Sequence, residues 1–371
     1  MTDWTVSQIV RHPPFDPQHR YPDRLPLTEH SEKVSVDDVE SLMPPFKLGE
    51  DSAWMIERRI MKDEEPVERS WNFVDDTPYP DAVMNRRHGW YLSPHPIHRI
   101  ARRIINIIVL ALLLSLFYLF IEPVLAWLDI IPEGTSGSVR LGLLDYPFVA
   151  VVLVPLLILP IILRVAANLR DLLRQREFLN NAPPSPKVTF DSGIYSGNTA
   201  SGTIQFKEKL PSWNNITATW RAGVLEPIRS SILLASGRSE IQQPPPGLTT
   251  PLPHHWQDGL SDGTDSGEGT PMQRHDAPGG LFITPMRVQE YGGECQLDSD
   301  GRFELPSPEN MWPGTCYLDM VRIHWEIIFR IERSSGGPLF WIEPVRVGHS
   351  SDYVQMPSLP ITDGRSESDR R

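Results

Sequence analysis

The chain has little cysteine, little lysine and no catalytic signature. Cys295 and Cys316 are the only cysteines among its 371 residues. That excludes the disulfide framework of small secreted domains, and both are expected as unpaired thiols. Lysine occurs only at positions 33, 47, 62, 187, 207 and 209, so arginine carries most of the positive charge. The formal net charge is −12. Phosphate backbones need clustered Lys and Arg, so this balance excludes a general nucleic-acid binder. No G-x-S-x-G, H-E-x-x-H, Walker or C-x-x-C pattern occurs. Gly193, Gly197 and Gly202 open no helix and so offer no phosphate cradle. The first 100 residues hold no apolar run behind a basic start, so the first long apolar run is expected to act as a signal-anchor or plain span.

Two long apolar runs stand out. Ile104 to Ile121 reads IINIIVLALLLSLFYLFI, 18 residues without a charge. Tyr146 to Leu163 reads YPFVAVVLVPLLILPIIL. A hydrocarbon core of about 30 Å needs roughly 20 helical residues, so a transmembrane hairpin is expected over 101–176, with spans near 104–128 and 143–163. Arg86, Arg87, Arg99, Arg102 and Arg103 precede the first run, and Arg164, Arg170, Arg174 and Arg176 follow the second. The connecting segment has Arg140 alone. Positive flanks stay inside, which places both termini in the cytoplasm of a multi-pass cell-membrane protein. Trp90, Tyr91, Trp127 and Tyr146 suit the interfaces.

Three residues in the spans are candidates for an intramembrane role. Glu122 is a carboxylate in an apolar run, though its place near the outer end and beside Pro123 favours access to water. Pro155 and Pro160 each remove a helical donor. Two helices so poor in polar groups line no pore alone, so transport would require a larger complex.

Residues 1–100 read as a mostly irregular cytosolic arm. Residues 1–85 carry 18 acidic and nine basic side chains, with prolines at 13, 14, 17, 22, 26, 44, 45, 66, 78 and 80. Such a composition buries little surface. Short helices are expected from Ser35 to Met43, behind a capping box, and after Asp51, where Trp54, Met55, Ile56 and Ile60 would form an apolar patch. Trp54 and Trp71 are candidates to dock on a partner or on the protein's own folded domain.

From residue 183 to 356 the pattern is that of strands. Val188 to Phe190, Thr203 to Lys207 and Asn215 to Arg221 alternate. Val321 to Ile331 alternates over eleven residues, which marks a half-buried antiparallel strand. A turn at Ser334 to Gly337 leads into a return strand, Leu339 to Val347, which Pro344 is expected to place at an edge or to bulge. Short strands without alternating helices predict an all-β antiparallel sandwich. A flexible insertion is expected over 236–280 and a disordered tail over 357–371.

His324 and Glu326 share the outward face of the long strand. They form a conceivable acid–base pair or partner-binding patch, although a solvated strand face is the ordinary reading. His254, His255 and His275 with nearby carboxylates match no zinc spacing, so neither metal nor cofactor is implied.

Gly193-Ile-Tyr-Ser-Gly197 with Ser201-Gly-Thr-Ile-Gln-Phe206, and Phe303-Glu-Leu-Pro306 with Val321-Arg-Ile-His-Trp-Glu326, resemble the opening and later strands of arrestin-like sandwiches. The resemblance omits the apolar hairpin, and the 236–280 insertion departs from it. It implies a protein-binding scaffold without catalysis. The expectation is therefore a bilayer-anchored interaction protein with a protein partner. The runner-up is an accessory subunit of a transporter or other membrane complex.

Overall fold

A computed structural model describes residues 4–14, 21–35, 43–63, 65–67, 73–74, 76–93, 97–130, 132, 137–208, 212–239, 242–245, 279–280, 286–334, 337–349 and 353–362. The chain forms two compact units. One joins Met1–Ser93 to Pro183–Arg371, and the other is Pro94–Ala182.

The first unit is built of mainly antiparallel sheets. Its seven-stranded sheet runs Gly279–Gly280, Gly89–Leu92, Leu339–Val345, Arg322–Arg333, Trp213–Val224 and Val288–Gln296, with Cys316–Tyr317 on Arg322–Arg333. The central pairings are antiparallel, with Glu326 opposite Arg221 on one side and Pro344 on the other. The apolar face of Arg322–Arg333 forms the core. Trp325 packs against Trp220 with ring centroids 5.1 Å apart and the planes tilted by 53°. Phe329 meets Phe303 of the three-stranded sheet Arg302–Leu305, Ala200–Gln205, Lys187–Phe190 at 5.5 Å. Burying these large side chains contributes most of the driving force.

The N-terminal segment is not an irregular arm. Trp4–Arg11, Thr28–Val34, Phe46–Gly49 and Met55–Lys62 are strands of a six-stranded sheet, which Val354–Met356 completes at its edge in parallel with Phe46–Gly49. Met55, Ile56 and Ile60 therefore sit in a strand, not in a helix after Asp51. The prolines punctuate the connections. Pro13 follows the first strand closely, and Pro44 and Pro45 precede the strand at Phe46. Polar side chains hold the connections in place. Arg11 donates to the carbonyls of Leu25 at 2.9 Å, Asp51 at 2.6 Å and Ala53 at 3.0 Å, and Arg58 donates to Met43 at 2.8 Å. Composition reads such a segment as unfoldable only if no other part of the chain supplies its partners. Here Gln8 accepts from the backbone N–H groups of Met320 and Val321 at 3.0 and 3.2 Å.

Gly49 shows why the turn into Met55–Lys62 needs its residue type. Its φ is +87°, and a Cβ there would lie 2.0 Å from the Trp54 carbonyl oxygen. The expected helix from Ser35 to Met43 falls almost wholly outside the described residues.

Two expected flexible segments are ordered where they are described. Gly279–Gly280, at the end of the presumed insertion, pairs in parallel with Trp90 and Tyr91. Leu359 and Thr362, in the presumed disordered tail, are respectively buried and hydrogen-bonded to Gln289. Both are recruited by sheets formed from distant residues. The rest of 246–278 lies outside the described residues.

The second unit contains the helices Ile97–Trp127 and Phe148–Asn180, which pack together. Among the described residues, one helical stretch, Arg103–Trp127, is long and apolar enough to cross a membrane. Between the helices, Ser138–Leu141 and Leu144–Pro147 pair as a small antiparallel ladder, turned by Gly142 at φ +67°. The connection is thus folded, and residues 144–147 do not begin a span. The residue before a proline disfavours the helical region, so the helix starts only after Pro147. It then continues through Pro155 and Pro160 to Asn180, well beyond Leu163.

Candidate functional site

The unusual chemistry of the first unit lies inside it. On the polar face of Arg322–Arg333, His324 and Glu326 are both fully buried. This corrects the expectation of a solvated face. Strict alternation identifies two different faces but not what covers each of them. Here the second face is covered by the segment around Asp81–Arg86 and its C-cap, Arg87, together with side chains of neighbouring strands.

Glu326 is the centre of the cluster. Arg87 grips it in bidentate fashion, Nε to Oε2 at 2.9 Å and Nη2 to Oε1 at 2.8 Å. Arg221, directly opposite in the ladder, donates its Nε to Oε1 at 2.5 Å. His324 Nε2 lies 2.9 Å from Oε2. Burial opposes ionisation of Glu326, but Arg221 and Arg87 outweigh it and hold the carboxyl well below its ordinary range. An ion pair in low dielectric survives only with this degree of satisfaction.

The surrounding groups extend the cluster. Arg221 also donates to Gln289 Oε1 and to Tyr291 Oη, each at 3.0 Å. Tyr317 Oη lies 2.8 Å from His324 Nδ1. Burial, then the two arginines, push His324 down and keep it neutral despite Glu326. Burial raises Tyr317, which keeps its proton. The network therefore assigns the tautomer. His324 Nε2–H donates to the carboxylate, and Nδ1 accepts from the phenol. Tyr317 packs edge-on to Tyr79 at 6.0 Å, and the Arg346 guanidinium lies 4.1 Å from the Tyr79 ring centroid.

This arrangement can brace and discriminate, but it is badly placed for acid–base chemistry. A general base needs a free lone pair within reach of a substrate proton. Both ring nitrogens of His324 are engaged, and Glu326 accepts from Arg87, Arg221 and His324. No group of three or more His, Cys, Asp or Glu side chains among the described residues has the geometry of a metal site. No disulfide joins Cys295 to Cys316.

The remaining candidates scatter. Trp54 is buried beside the turn at Gly49 and is not a surface tryptophan. Trp71 lies outside the described residues, as do His254, His255 and His275. Glu122 is buried. Pro155 and Pro160 lie in the Phe148–Asn180 helix. Sequence reading missed Arg87, Arg221 and Tyr317. Arg221 and Glu326 share one alternation phase in adjacent strands, which was a usable signal. Nothing in the sequence ties Arg87 to position 326.

Comparison with models of protein families, with curated proteins and with solved structures finds no match for this chain.

Proposed function

We propose that the chain is a membrane-anchored, non-catalytic interaction protein whose β unit faces the cytoplasm and receives a protein partner. One observation carries this reading. In the folded chain the apolar stretch Arg103–Trp127 buries only Ile108 and Glu122, and leaves Leu113, Leu114, Phe117 and Phe120 exposed. A core helix of a soluble protein would hide such residues, whereas lipid covers them without further structure. The arginine flanks support a second span within Phe148–Asn180 and two cytoplasmic termini. The paired sheets with facing Phe303 and Phe329 agree with an arrestin-like sandwich acting as scaffold. Saturation of His324 and Glu326 by their own neighbours supports a role without catalysis.

The test combines extraction with labelling. Membranes carrying the full chain, with Cys295→Ser, Cys316→Ser and Ser136→Cys, are washed at alkaline pH and exposed to a membrane-impermeant maleimide. Retention in the pellet and labelling from outside intact cells are expected. Release by the wash, or labelling only after permeabilisation, would overturn the anchor or its orientation respectively. A pull-down from detergent should then recover a stoichiometric protein partner.

A second reading, an accessory subunit of a membrane complex, is favoured by one observation: Glu122 is buried within an apolar helix. It requires that Glu122→Gln abolish an activity of that complex while leaving assembly intact.

A further inference from the structure

The Phe148–Asn180 helix has two seams, and among the described residues only one of them is covered. We propose that the second seam binds another copy of this chain, pairing the two Phe148–Asn180 helices side by side. Ile158, Ile162, Val165, Leu169 and Leu172 follow one another by steps of four, three, four and three residues. That is the spacing of a heptad core. All five are between 52% and 60% exposed. At about 100° per residue they form one stripe along the helix. Ala167 and Asp171 lie across the helix from that stripe and are 0% and 3% exposed. The helix is thus already packed on one side and bears a heptad core on the other.

Lipid does not account for the whole stripe. The helix has 33 residues, about 50 Å at about 1.5 Å per residue. A bilayer core takes roughly 20 of them, which from Phe148 ends near Ala167. Leu169 and Leu172 then project past the hydrocarbon with their apolar surface uncovered. This step rests on the membrane-anchored reading above.

The flanks of the stripe select a like partner. Positions beside a heptad core set partner choice through their charges, and like charges forbid self-pairing. Here the flanking residues Ala166, Asn168, Leu173 and Gln175 are uncharged. Arg164, Arg170 and Arg174 point elsewhere around the helix by the same 100° count. Two identical stripes can therefore meet about a twofold axis without repulsion, and in the parallel pairing that a shared membrane orientation imposes, Asn168 of one copy faces the uncharged Leu173 of the other. The stripe ends at Arg176, one heptad beyond Leu169, where its long side chain can splay into water.

Disulfide trapping tests the proposal with the full chain in its membrane. In a Cys295→Ser, Cys316→Ser background, Leu172→Cys is oxidised with copper phenanthroline and compared with Arg174→Cys on the opposite face. Severalfold more linked dimer from Leu172→Cys is expected, and Leu169→Cys should behave alike. Equal or lower yield from Leu172→Cys, with the chain still retained in the alkaline-washed pellet, overturns the seam while leaving the anchor intact. Linked dimer from a chain that the wash releases supports the seam and rejects the anchor. As an independent arm, Leu169→Asp with Leu172→Asp should halve the protein mass measured by light scattering in detergent, with helix content unchanged. A chain that is already a single copy before substitution overturns the proposal.

Discussion

Arg87 donates two hydrogen bonds to Glu326 across 239 positions of sequence. The pair is fully enclosed, at 3% and 0% side-chain exposure. It fastens the chain just before the helical unit Pro94–Ala182 to the central strand that follows that unit in sequence.

Removing the carboxylate should be severe. Glu326→Ala leaves Arg87 and Arg221 buried without their counter-charge, and breaking such a pair costs about 3–5 kcal/mol. Tryptophan fluorescence during urea unfolding of the full chain in detergent should show that loss. A change below about 1 kcal/mol, the size of an exposed pair, would mean that the cluster is hydrated.

Tyr317→Phe removes one hydrogen bond and keeps the ring. It leaves His324 Nδ1 without its 2.8 Å donor, at a cost of about 1–3 kcal/mol for an unsatisfied buried acceptor. The same denaturation assay checks this, and Tyr317→Leu should lose more, because the edge contact with Tyr79 disappears too.

Stability should depend on pH in two windows. Burial, reinforced by Arg287, lowers His12 from 6.5 to about 3. The unfolded chain therefore takes up this proton first, and stability falls as the pH drops from 6.5 towards 3 by about 1.4 kcal/mol per unit for one such group. His324 is shifted in the same direction and adds to the slope. Glu326 is depressed below 4.5. Its contribution is complete above 4.5 and disappears as the pH falls through the folded value. Denaturation midpoints between pH 7 and 5 should lose part of their slope in His12→Phe. An unchanged slope would show that His12 is reached by water.

Gln8→Ala should loosen the N-terminal sheet. Gln8 Oε1 is the acceptor for two buried backbone N–H groups, those of Met320 and Val321. Losing both costs about 2 kcal/mol or more, and limited proteolysis within residues 1–62 should accelerate. A deletion of residues 1–80 should go further and leave 183–371 unable to fold, whereas an irregular arm could be cut away without consequence.

The parts of this fold that were legible in the sequence are those specified by local pattern. Arg322–Arg333, its return strand Leu339–Val345 and the strand Trp213–Val224 all show period-two alternation. Arg103–Trp127 shows itself by length and apolarity alone. What stayed hidden depends on distant partners. Trp4–Arg11 buries Ser7, Gln8 and Arg11 along with Val6 and Ile9, so it has no polar phase by which to recognise a strand. Phe46–Gly49 is only four residues long and pairs with Val354–Met356 from the far end of the chain. For the buried cluster, His324 and Glu326 were visible, but the groups that enclose them were not. A charged residue on a strand signals solvent unless its cover is known, and that cover is Arg87.

The closing of the six-stranded sheet by Val354–Met356 sets an order of events during synthesis. The ribosome makes the four N-terminal strands first, then the apolar helices, and only near the end the edge strand and the carboxylate at 326. Until then Arg87 has no counter-charge and the sheet has an open edge. The helices are thus committed to their environment before the β unit can complete a single cooperative structure. The β unit is therefore completed only after the helices have been made, and the early strands depend on protection from aggregation while they wait.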